Sequence, residues 1–203
     1  MTSLAIIFVL LFVVSLDASR STAAAPPPSE ERHERPQPDL RAEHVWEVLQ
    51  QSSPRELSLE RDPTHPGVLR VVIPDSVLNF EFGKSTLAPT GERFLSEFMP
   101  RYALALCGAL RDQITGIVIE GHTDDLGRDV LNLKLSQDRS FHVLVRGLEA
   151  IAATVPAVHA CFSQLASASG RGKQDLVYDD AGRLSSEKSR RVVVKILLAP
   201  RVD

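Results

Sequence analysis

The sequence lacks the features that several classes of binding protein require. Its 203 residues carry a net charge of −3, which gives no electrostatic case for nucleic acid, because that partner needs a concentrated basic patch. The two cysteines, Cys107 and Cys161, lie far apart in the chain and do not form the CxxC pair of a metal site. The sequence predicts either one disulfide, if the domain lies outside the cytoplasm, or two buried thiols.

The residue combinations of an enzyme or a metalloprotein are also missing. His122, Asp124 and Asp125 form one polar cluster, but no second histidine-rich segment supplies further ligands with the spacing of a zinc site. The chain contains no G-x-S-x-G motif, and no base stands at a plausible spacing from Ser136. We therefore expect no enzymatic activity, no bound metal and no cofactor.

The N-terminus begins with an apolar run without charges over residues 2–16. A membrane-spanning helix needs roughly 17–25 apolar residues, so the run is slightly short. It is either a secretory signal peptide, cleaved near Ala23-Ala24-Ala25, or a transmembrane helix over residues 1–17. No basic residue precedes the apolar core, which favours the membrane anchor. Both interpretations place the rest of the chain on the far side of a membrane.

Residues 18–65 are predicted to form a flexible proline-rich linker and a short helix. Pro, Ala, Ser, Glu and Arg dominate residues 18–41, and this composition buries too little apolar surface to fold by itself. Residues 42–51 carry spaced apolar side chains and predict the short helix.

Residues 66–200 have the pattern of one folded α+β domain. Apolar, largely β-branched runs bounded by Pro and Gly are typical of strands. Such runs occupy residues 68–73, 114–120, 162–169 and 191–198.

Two helices are predicted between these strands. The first covers residues 88–110, with a kink or a break at Pro100 because proline cannot donate the helical hydrogen bond. The second covers residues 131–151, with one buried stripe formed by Phe141, Leu144, Leu148 and Ile151. The resulting order, β-α-β-α-β-(loop or short helix)-β, favours right-handed crossovers with the helices on one face of a sheet.

The loop between the second strand and the second helix is the candidate site. Apolar residues 117–119 lead into the polar cluster of Glu120, His122, Thr123, Asp124 and Asp125, and Gly127 then lets the backbone turn. A helix start offers free N–H groups and a partial positive charge, here expected near Asn132 and Ser136. We interpret Ser136 as the helix N-cap, with Leu135 before it as an apolar staple. Such a site suits a ligand that carries both a cation and an anion.

Five short blocks of sequence, in the order in which they follow along the chain, resemble those of a known family. They read FEFGKSTL, IEGHTDDLG, NLKLSQDRS, ASGRG and SRRVVVKI, and the match around them covers about residues 68–199. They are similar to the OmpA-like, peptidoglycan-binding C-terminal domain of outer-membrane OmpA proteins, Pal lipoproteins and the flagellar stator protein MotB. The resemblance implies an OmpA-like β-α-β-α-β-β fold, a sandwich of helices on one mixed sheet, which holds the meso-diaminopimelate of the cell-wall peptide.

The resemblance also implies roles for individual residues. Asp124 would accept from the ligand ammonium, and Arg139 would clamp the ligand carboxylate in bidentate fashion, which lysine could not do. Further ligand contacts are implied for Thr123, Asn132, Leu135, Ser136 and Arg190, and supporting roles for His122, Asp125, Gly127 and Arg191.

Three positions depart from the family pattern near these residues. Ser189 stands where Asn is usual, Ser140 where Ala is usual, and Leu131 where an aromatic residue often precedes the Asn. The departures leave Asp124 and Arg139 intact, but they put the loop contacts around that pair in doubt.

The order of segments resembles stator subunits of the MotB type and of the anti-phage Zorya system. This resemblance implies a single-pass protein of the inner membrane whose C-terminal domain lies in the periplasm. It also implies a homodimer and a multi-span MotA-like partner. Those relatives carry a transmembrane aspartate, whereas residues 1–16 contain no carboxylate. Either the true start lies upstream, or this chain conducts no ions through its own helix. The alternative is a secreted or outer-membrane-associated anchor with a cleaved signal peptide.

Overall fold

The computed structural model describes residues 40–200. The transmembrane segment predicted for residues 1–17, and the linker before residue 40, lie outside the described residues. Within residues 40–200, no helix combines the length and apolar character needed to cross a membrane.

The described part of the chain contains both helices and strands. Short 3₁₀ turns at Arg111–Gln113 and Pro156–Val158 connect some of them. In chain order the elements are α1 (Leu40–Ser52), β1 (Ser58–Arg61), β2 (Val68–Pro74), α2 (Asp75–Leu78), α3 (Pro89–Cys107), β3 (Ile114–His122), α4 (Asp129–Thr154), α5 (His159–Leu165), β4 (Ala166–Gly172), α6 (Ser186–Ser189) and β5 (Arg191–Leu198).

The five strands form one mixed sheet in the order β1-β2-β5-β3-β4. β5 lies in the centre, antiparallel to both β2 and β3, and β4 runs parallel to β3 at the edge. From β2 onward the chain follows β2-α3-β3-α4-β4-β5, which confirms the predicted α+β order. The short helix α6 occupies the predicted position before the last strand.

The sheet buries one face against the helices. Along β2 burial alternates strictly, so that Leu69, Val71 and Ile73 enter the core while Arg70 and Val72 point to the other face. On β5, Val192, Val194 and Ile196 join the core, and Arg191 and Lys195 alternate with them. The second face of the sheet is therefore polar and carries charge.

Residues 40–65 contribute folded structure, in contrast to the flexible linker that their composition suggests. The predicted short helix is present as α1, and its Ala42, Val45 and Leu49 are buried. β1 then pairs with β2 as an edge strand. The sequence of β1, SLER, shows no apolar alternation, so the sequence gives no strand signal there.

The helix α3 continues through Pro100 without a break, and Pro100 is itself buried. At its end, Cys107 forms a disulfide with Cys161 of α5. This resolves the two alternatives left open by the sequence in favour of the disulfide.

Two sequence predictions about α4, α5 and β4 are wrong in detail. The predicted strand over residues 162–169 begins only at Ala166, because Phe162 lies in α5 and is buried there. Of the stripe predicted for α4, Phe141 is 58% exposed. Ile151 is buried as predicted, and Leu144 and Leu148 pack against the core. The other residues on the buried face of α4 are Asn132, Ser136, Arg139, Ser140, Val143 and Gly147.

Small side chains on this face let α4 lie close to the sheet. A Cβ atom on Gly121 of β3 would lie 2.2 Å from the carbonyl oxygen of Ser136, and one on Gly170 of β4 would lie 2.5 Å from the amide nitrogen of Gln137. The strand and helix backbones are therefore nearly in contact, which a larger apolar stripe would prevent.

Candidate functional site

The loop after β3 is held by its own polar groups. The Oδ1 of Asp124 accepts from the amide of Leu126 at 3.2 Å, an Asx turn. The side-chain amide of Asn132 on α4 donates to the carbonyl of Leu126 at 2.6 Å. Gly127 adopts the left-handed φ of 85° that this turn requires. Asn132 thus fixes the loop that carries Asp124.

Thr123 and Ser136 connect this loop to β4. The buried Thr123 donates its amide to the carbonyl of Gly172 at 2.9 Å. The hydroxyl of Ser136, fully buried, accepts from the amide of Gly172 at 2.8 Å and donates to the carbonyl of Leu133. The backbone of Thr123 therefore ties the loop to the end of β4, and the side chain of Ser136 holds that end against α4.

Ser136 is not a helix N-cap, contrary to the sequence prediction. α4 begins at Asp129, so Ser136 lies about two turns inside the helix. The amide of Asn132 already donates to the carbonyl of Arg128 at 3.0 Å, and it offers no free donor to a ligand. Leu135, interpreted as a staple, is half-buried within the helix.

Two carboxylates and two guanidinium groups meet at the end of the sheet where β2 and β3 end and β5 begins. Arg190, just before β5, donates from Nη1 to the Oδ2 of Asp124 at 2.9 Å. Its Nε lies 3.7 Å from the Oδ2 of Asp75, the first residue after β2. Nη1 of Arg139 lies 3.8 Å from the Oδ1 of Asp75. The four side chains form one cluster of balanced charge.

Arg139 is held almost entirely by protein groups. It is 6% exposed, its Nε donates to the carbonyl of Lys84 at 2.9 Å, and its guanidinium lies 4.6 Å from the ring centroid of Phe80. Burial lowers the pKa of Arg139, while the nearby Asp75 opposes this change. Burial in turn raises the pKa of Asp75, against the influence of both arginines. Arg139 is therefore pre-positioned, with its outer nitrogens facing carboxylates.

Three residues with predicted supporting roles, His122, Asp125 and Arg191, take no part in the ion pairs of this cluster, and neither does the neighbouring Glu120. His122 and Arg191 are neighbours on β3 and β5, and both are buried on the polar face of the sheet. His122 Nδ1 lies 3.2 Å from the carbonyl oxygen of Gln174. Glu120 forms an ion pair with Lys195 at 2.8 Å on that same face and does not contact Arg139. Asp125 is exposed.

Sequence reasoning missed three members of the site: Asp75, Phe80 and Lys84. Lys84 takes part through its carbonyl oxygen, which no side-chain pattern reveals. The sequence does contain a signal for Asp75. This residue directly follows the end of the clearly apolar strand β2, just as the loop of Asp124 follows the end of β3.

A zwitterionic ligand can replace the ion pairs within the cluster by ion pairs between the cluster and the ligand. Asp124 can accept from an ammonium group in place of Arg190. Arg139 can donate two nitrogens to a carboxylate in place of Asp75. A ligand with both groups on one carbon would leave the charge of the cluster unchanged.

The fold is similar to those of a solved MotB-like protein and a solved MotB periplasmic domain. A MotB-like protein from Desulfovibrio vulgaris is 23% identical, with a TM-score of 0.53, over 80% of this chain and 91% of that chain. The periplasmic domain of Helicobacter pylori MotB is 15% identical, with a TM-score of 0.51, over 71% of this chain and 83% of that chain. No family model matches the chain, and a search of the curated proteins found no match. At these identities the similarity establishes the fold alone, and it confirms the resemblance at that level.

Proposed function

We propose that this chain is a non-enzymatic, membrane-anchored protein that binds peptidoglycan through the diaminopimelate of its stem peptide. Its folded domain would lie in the periplasm, where the disulfide between Cys107 and Cys161 is chemically favoured. The similarity in fold to periplasmic MotB domains supports the same compartment.

The observation that carries the proposal is the cluster of Asp75, Asp124, Arg139 and Arg190. Asp124 and Arg139 come from different elements, and the fold places both in this cluster through Arg190 and Asp75. In this proposal Asp124 receives the ammonium of diaminopimelate, and Arg139 clamps the carboxylate on the same carbon. Arg190 turns from Asp124 toward the ligand as the ammonium enters.

The remaining residues act on the shape of the pocket. Asn132 and Gly127 hold the loop of Asp124, the backbone amide of Thr123 ties this loop to β4, and Ser136 holds β4 against α4. Leu135 lies half-buried on α4, one turn before Arg139, and would contact the aliphatic part of the ligand. His122 and Arg191 would act indirectly, and the exposed Asp125 would contribute little to binding.

Titration of the purified full chain with a diaminopimelate-containing muropeptide tests the proposal. We expect saturable binding, weakened about ten- to hundredfold in Asp124→Asn and in Arg139→Lys, because each loses a charge-assisted hydrogen bond worth about 1.5–3 kcal/mol. A muropeptide with lysine in place of diaminopimelate lacks the carboxylate that Arg139 clamps, and should bind the wild type as weakly as the variants bind.

Asp125→Asn is the matched control, since it removes the adjacent but exposed carboxylate. It should keep wild-type affinity within about twofold. Equal binding of both muropeptides, or equal affinity in Asp124→Asn and Asp125→Asn, would exclude the assigned site.

Within this function we propose a MotB-like stator subunit of the inner membrane, flagellar-motor-like or Zorya-like, over a free-standing anchor. The stator proposal requires an uncleaved N-terminus, a homodimer and a multi-span MotA-like partner. N-terminal sequencing and mass measurement of the protein extracted from membranes test it. Cleavage near Ala25 with release into the soluble fraction would favour the alternative, a secreted or outer-membrane-associated anchor.

A further inference from the structure

The polar face of the sheet opens into a cavity of about 980 Å³, separate from the diaminopimelate site. Its floor is formed by side chains of β2 and β5, and its walls by the segments after α1, after β1 and after β4. None of the four residues of the cluster Asp75, Asp124, Arg139 and Arg190 lines it. This volume is at the upper end of the range for small-molecule sites, roughly 300–1,000 Å³.

Cationic side chains from three strands converge on this cavity. Arg70 of β2 and Lys195 of β5 lie directly opposite each other in the sheet register, and Arg191 lies four residues before Lys195 on the same face. Arg171 of β4 lines the cavity as well, and Arg55 and Lys188 stand on other parts of its wall.

Four carboxylates line the cavity against six Arg and Lys side chains, so they compensate these cations only in part; they are Glu56, Glu60, Asp62 and Asp175. Glu120 is occupied by Lys195 at 2.8 Å, and Asp175 lies 3.8 Å from Arg171. The carboxylate of Asp62 accepts from Thr64 and His65 within its own turn. Glu60 is the cross-strand neighbour of Arg70 but is exposed, and its Oε1 accepts from Ser58.

Two guanidinium groups retain unused donors inside the cavity wall. The Nε atoms of Arg70 and Arg171 are buried and have no hydrogen-bond partner among the described residues. A buried donor without a partner costs about 1–3 kcal/mol, more when it is charged. Arg191 donates to the carbonyl oxygens of Ser189 and Asp175. The carboxylates of Asp175, Glu60 and Glu120 act on it through their charge and partly oppose the lowering of its pKa by burial.

Arg70 and Arg191 also repel each other. Burial lowers the pKa of Arg191, and the charge of Arg70 lowers it further. A dianion placed between the two guanidinium groups would remove the repulsion and satisfy the free donors.

We propose that this cavity binds a phosphate monoester, with Arg70, Arg171 and Arg191 around the phosphate group. A phosphate offers two charges and several acceptor oxygens, which matches converging guanidinium groups better than a single carboxylate does. The cavity is much larger than a phosphate ion, so the group is carried on a soluble organic body. This site is independent of the proposed peptidoglycan function and would let the domain sense or hold a second ligand.

Calorimetric titration of the full chain with glycerol 3-phosphate, at constant ionic strength, tests the proposal. We expect saturable binding that weakens at least tenfold in Arg70→Gln, since Arg70 is half-buried and holds no hydrogen bond that the fold needs. Arg146→Gln is the matched control, because Arg146 is an exposed arginine on α4 that does not line this cavity. It should leave the affinity unchanged within about twofold.

Separate arms identify the source of the phosphate group. Inorganic phosphate should bind more weakly than glycerol 3-phosphate, and sulfate at the same concentration more weakly still. Stronger binding of phosphatidylglycerol vesicles than of glycerol 3-phosphate would overturn the proposal in favour of a membrane surface. No saturable binding, or equal binding in Arg70→Gln and the wild type, would overturn it altogether.

A spectroscopic readout makes the test independent of how the variants fold. The Nε–H resonances of Arg70 and Arg171 in the wild type should shift on addition of glycerol 3-phosphate, while that of Arg146 should not. Arg70→Gln should still bind the diaminopimelate muropeptide with wild-type affinity, which separates this site from the first one.

Discussion

At the residue scale, Arg139 combines structural contacts with its proposed role in ligand binding. Its Nε donates to Lys84, its plane lies over Phe80, and its outer nitrogens face Asp75. We expect Arg139→Lys to lower the free energy of unfolding by about 1–2 kcal/mol, because lysine keeps the charge but cannot make the first two contacts together. Urea unfolding of the purified full chain measures this.

Arg146→Lys on the same helix is the control for that substitution. Arg146 is a surface residue that pairs with Glu92 at 2.6 Å, and such pairs contribute about 0–1 kcal/mol. The free energy of unfolding should change by no more than about 0.5 kcal/mol. If the two variants were equally stable, Arg139 would have no structural role, and its burial would serve ligand binding alone.

His122 should make the stability of the domain depend on pH. Burial, with a further contribution from Arg191, lowers its pKa from 6.5 to about 3. The unfolded chain therefore binds a proton at this residue from about pH 6.5 downward, while the folded chain does not. The contribution of His122 to the free energy of unfolding is therefore complete above pH 6.5. It is lost as the pH falls toward 3, at up to about 1.4 kcal/mol per pH unit.

The pH dependence can be assigned by comparing two histidine variants. His122→Gln should show a flatter decrease of the free energy of unfolding between pH 7 and pH 4 than the wild type. His44→Gln, a change at an exposed position on α1, should follow the wild-type curve. Parallel curves for all three proteins would mean that His122 is protonated in the folded state.

At the element scale, the contact between α4 and the sheet decides the position of Arg139. A side chain at position 121 would collide with the backbone of Ser136, one turn before Arg139. We expect Gly121→Ala to lower the free energy of unfolding by about 1–3 kcal/mol, as overpacking of a core contact does. It should also weaken muropeptide binding, because α4 must move away from the sheet. Urea unfolding and the muropeptide titration measure the two effects.

Gly67→Ala is the matched glycine control. A Cβ atom at that position would meet no atom within 4 Å. Stability should stay within about 1 kcal/mol of the wild type, and binding should not change. A stable Gly121→Ala variant with normal binding would show that the helix can retreat without moving Arg139.

The contact between α4 and the sheet also explains why the sequence predicts the strands better than the buried face of α4. β2, β3 and β5 are apolar and β-branched, and the sequence predicts them within a few residues. α4 buries Ser136, Ser140 and Gly147, where small size and not apolarity decides, so an apolar stripe through Phe141 was the wrong expectation. Phe162 packs into the core from α5, and an apolar residue before a strand cannot be distinguished from part of that strand by periodicity.

At the scale of the whole molecule, the site depends on contacts that are distant in the sequence. The motif around Asp124 and Arg139 was readable because it lies within one short stretch. Asp75 and Phe80 belong to the segment after β2, and they reach Arg139 only because β2, β5 and β3 are neighbours in the sheet. No local pattern contains this information.

The disulfide is a covalent cross-link between Cys107, at the end of α3, and Cys161 in α5. It spans a sequence separation of 54 residues, for which loop entropy predicts a stabilisation of about 4 kcal/mol. We expect the double variant Cys107→Ser, Cys161→Ser to lose about this much free energy of unfolding. A reducing agent should lower the wild type to the same level in urea unfolding and leave the double variant unchanged.

This prediction also bears on where the domain folds. A protein that gains about 4 kcal/mol only by oxidation should be markedly less stable when it is produced in a reducing cytoplasm than when it is exported. Thiol labelling of the exported protein should find both cysteines blocked. Free thiols in the exported protein, with unchanged stability, would contradict the disulfide and would remove its support for the proposed periplasmic location.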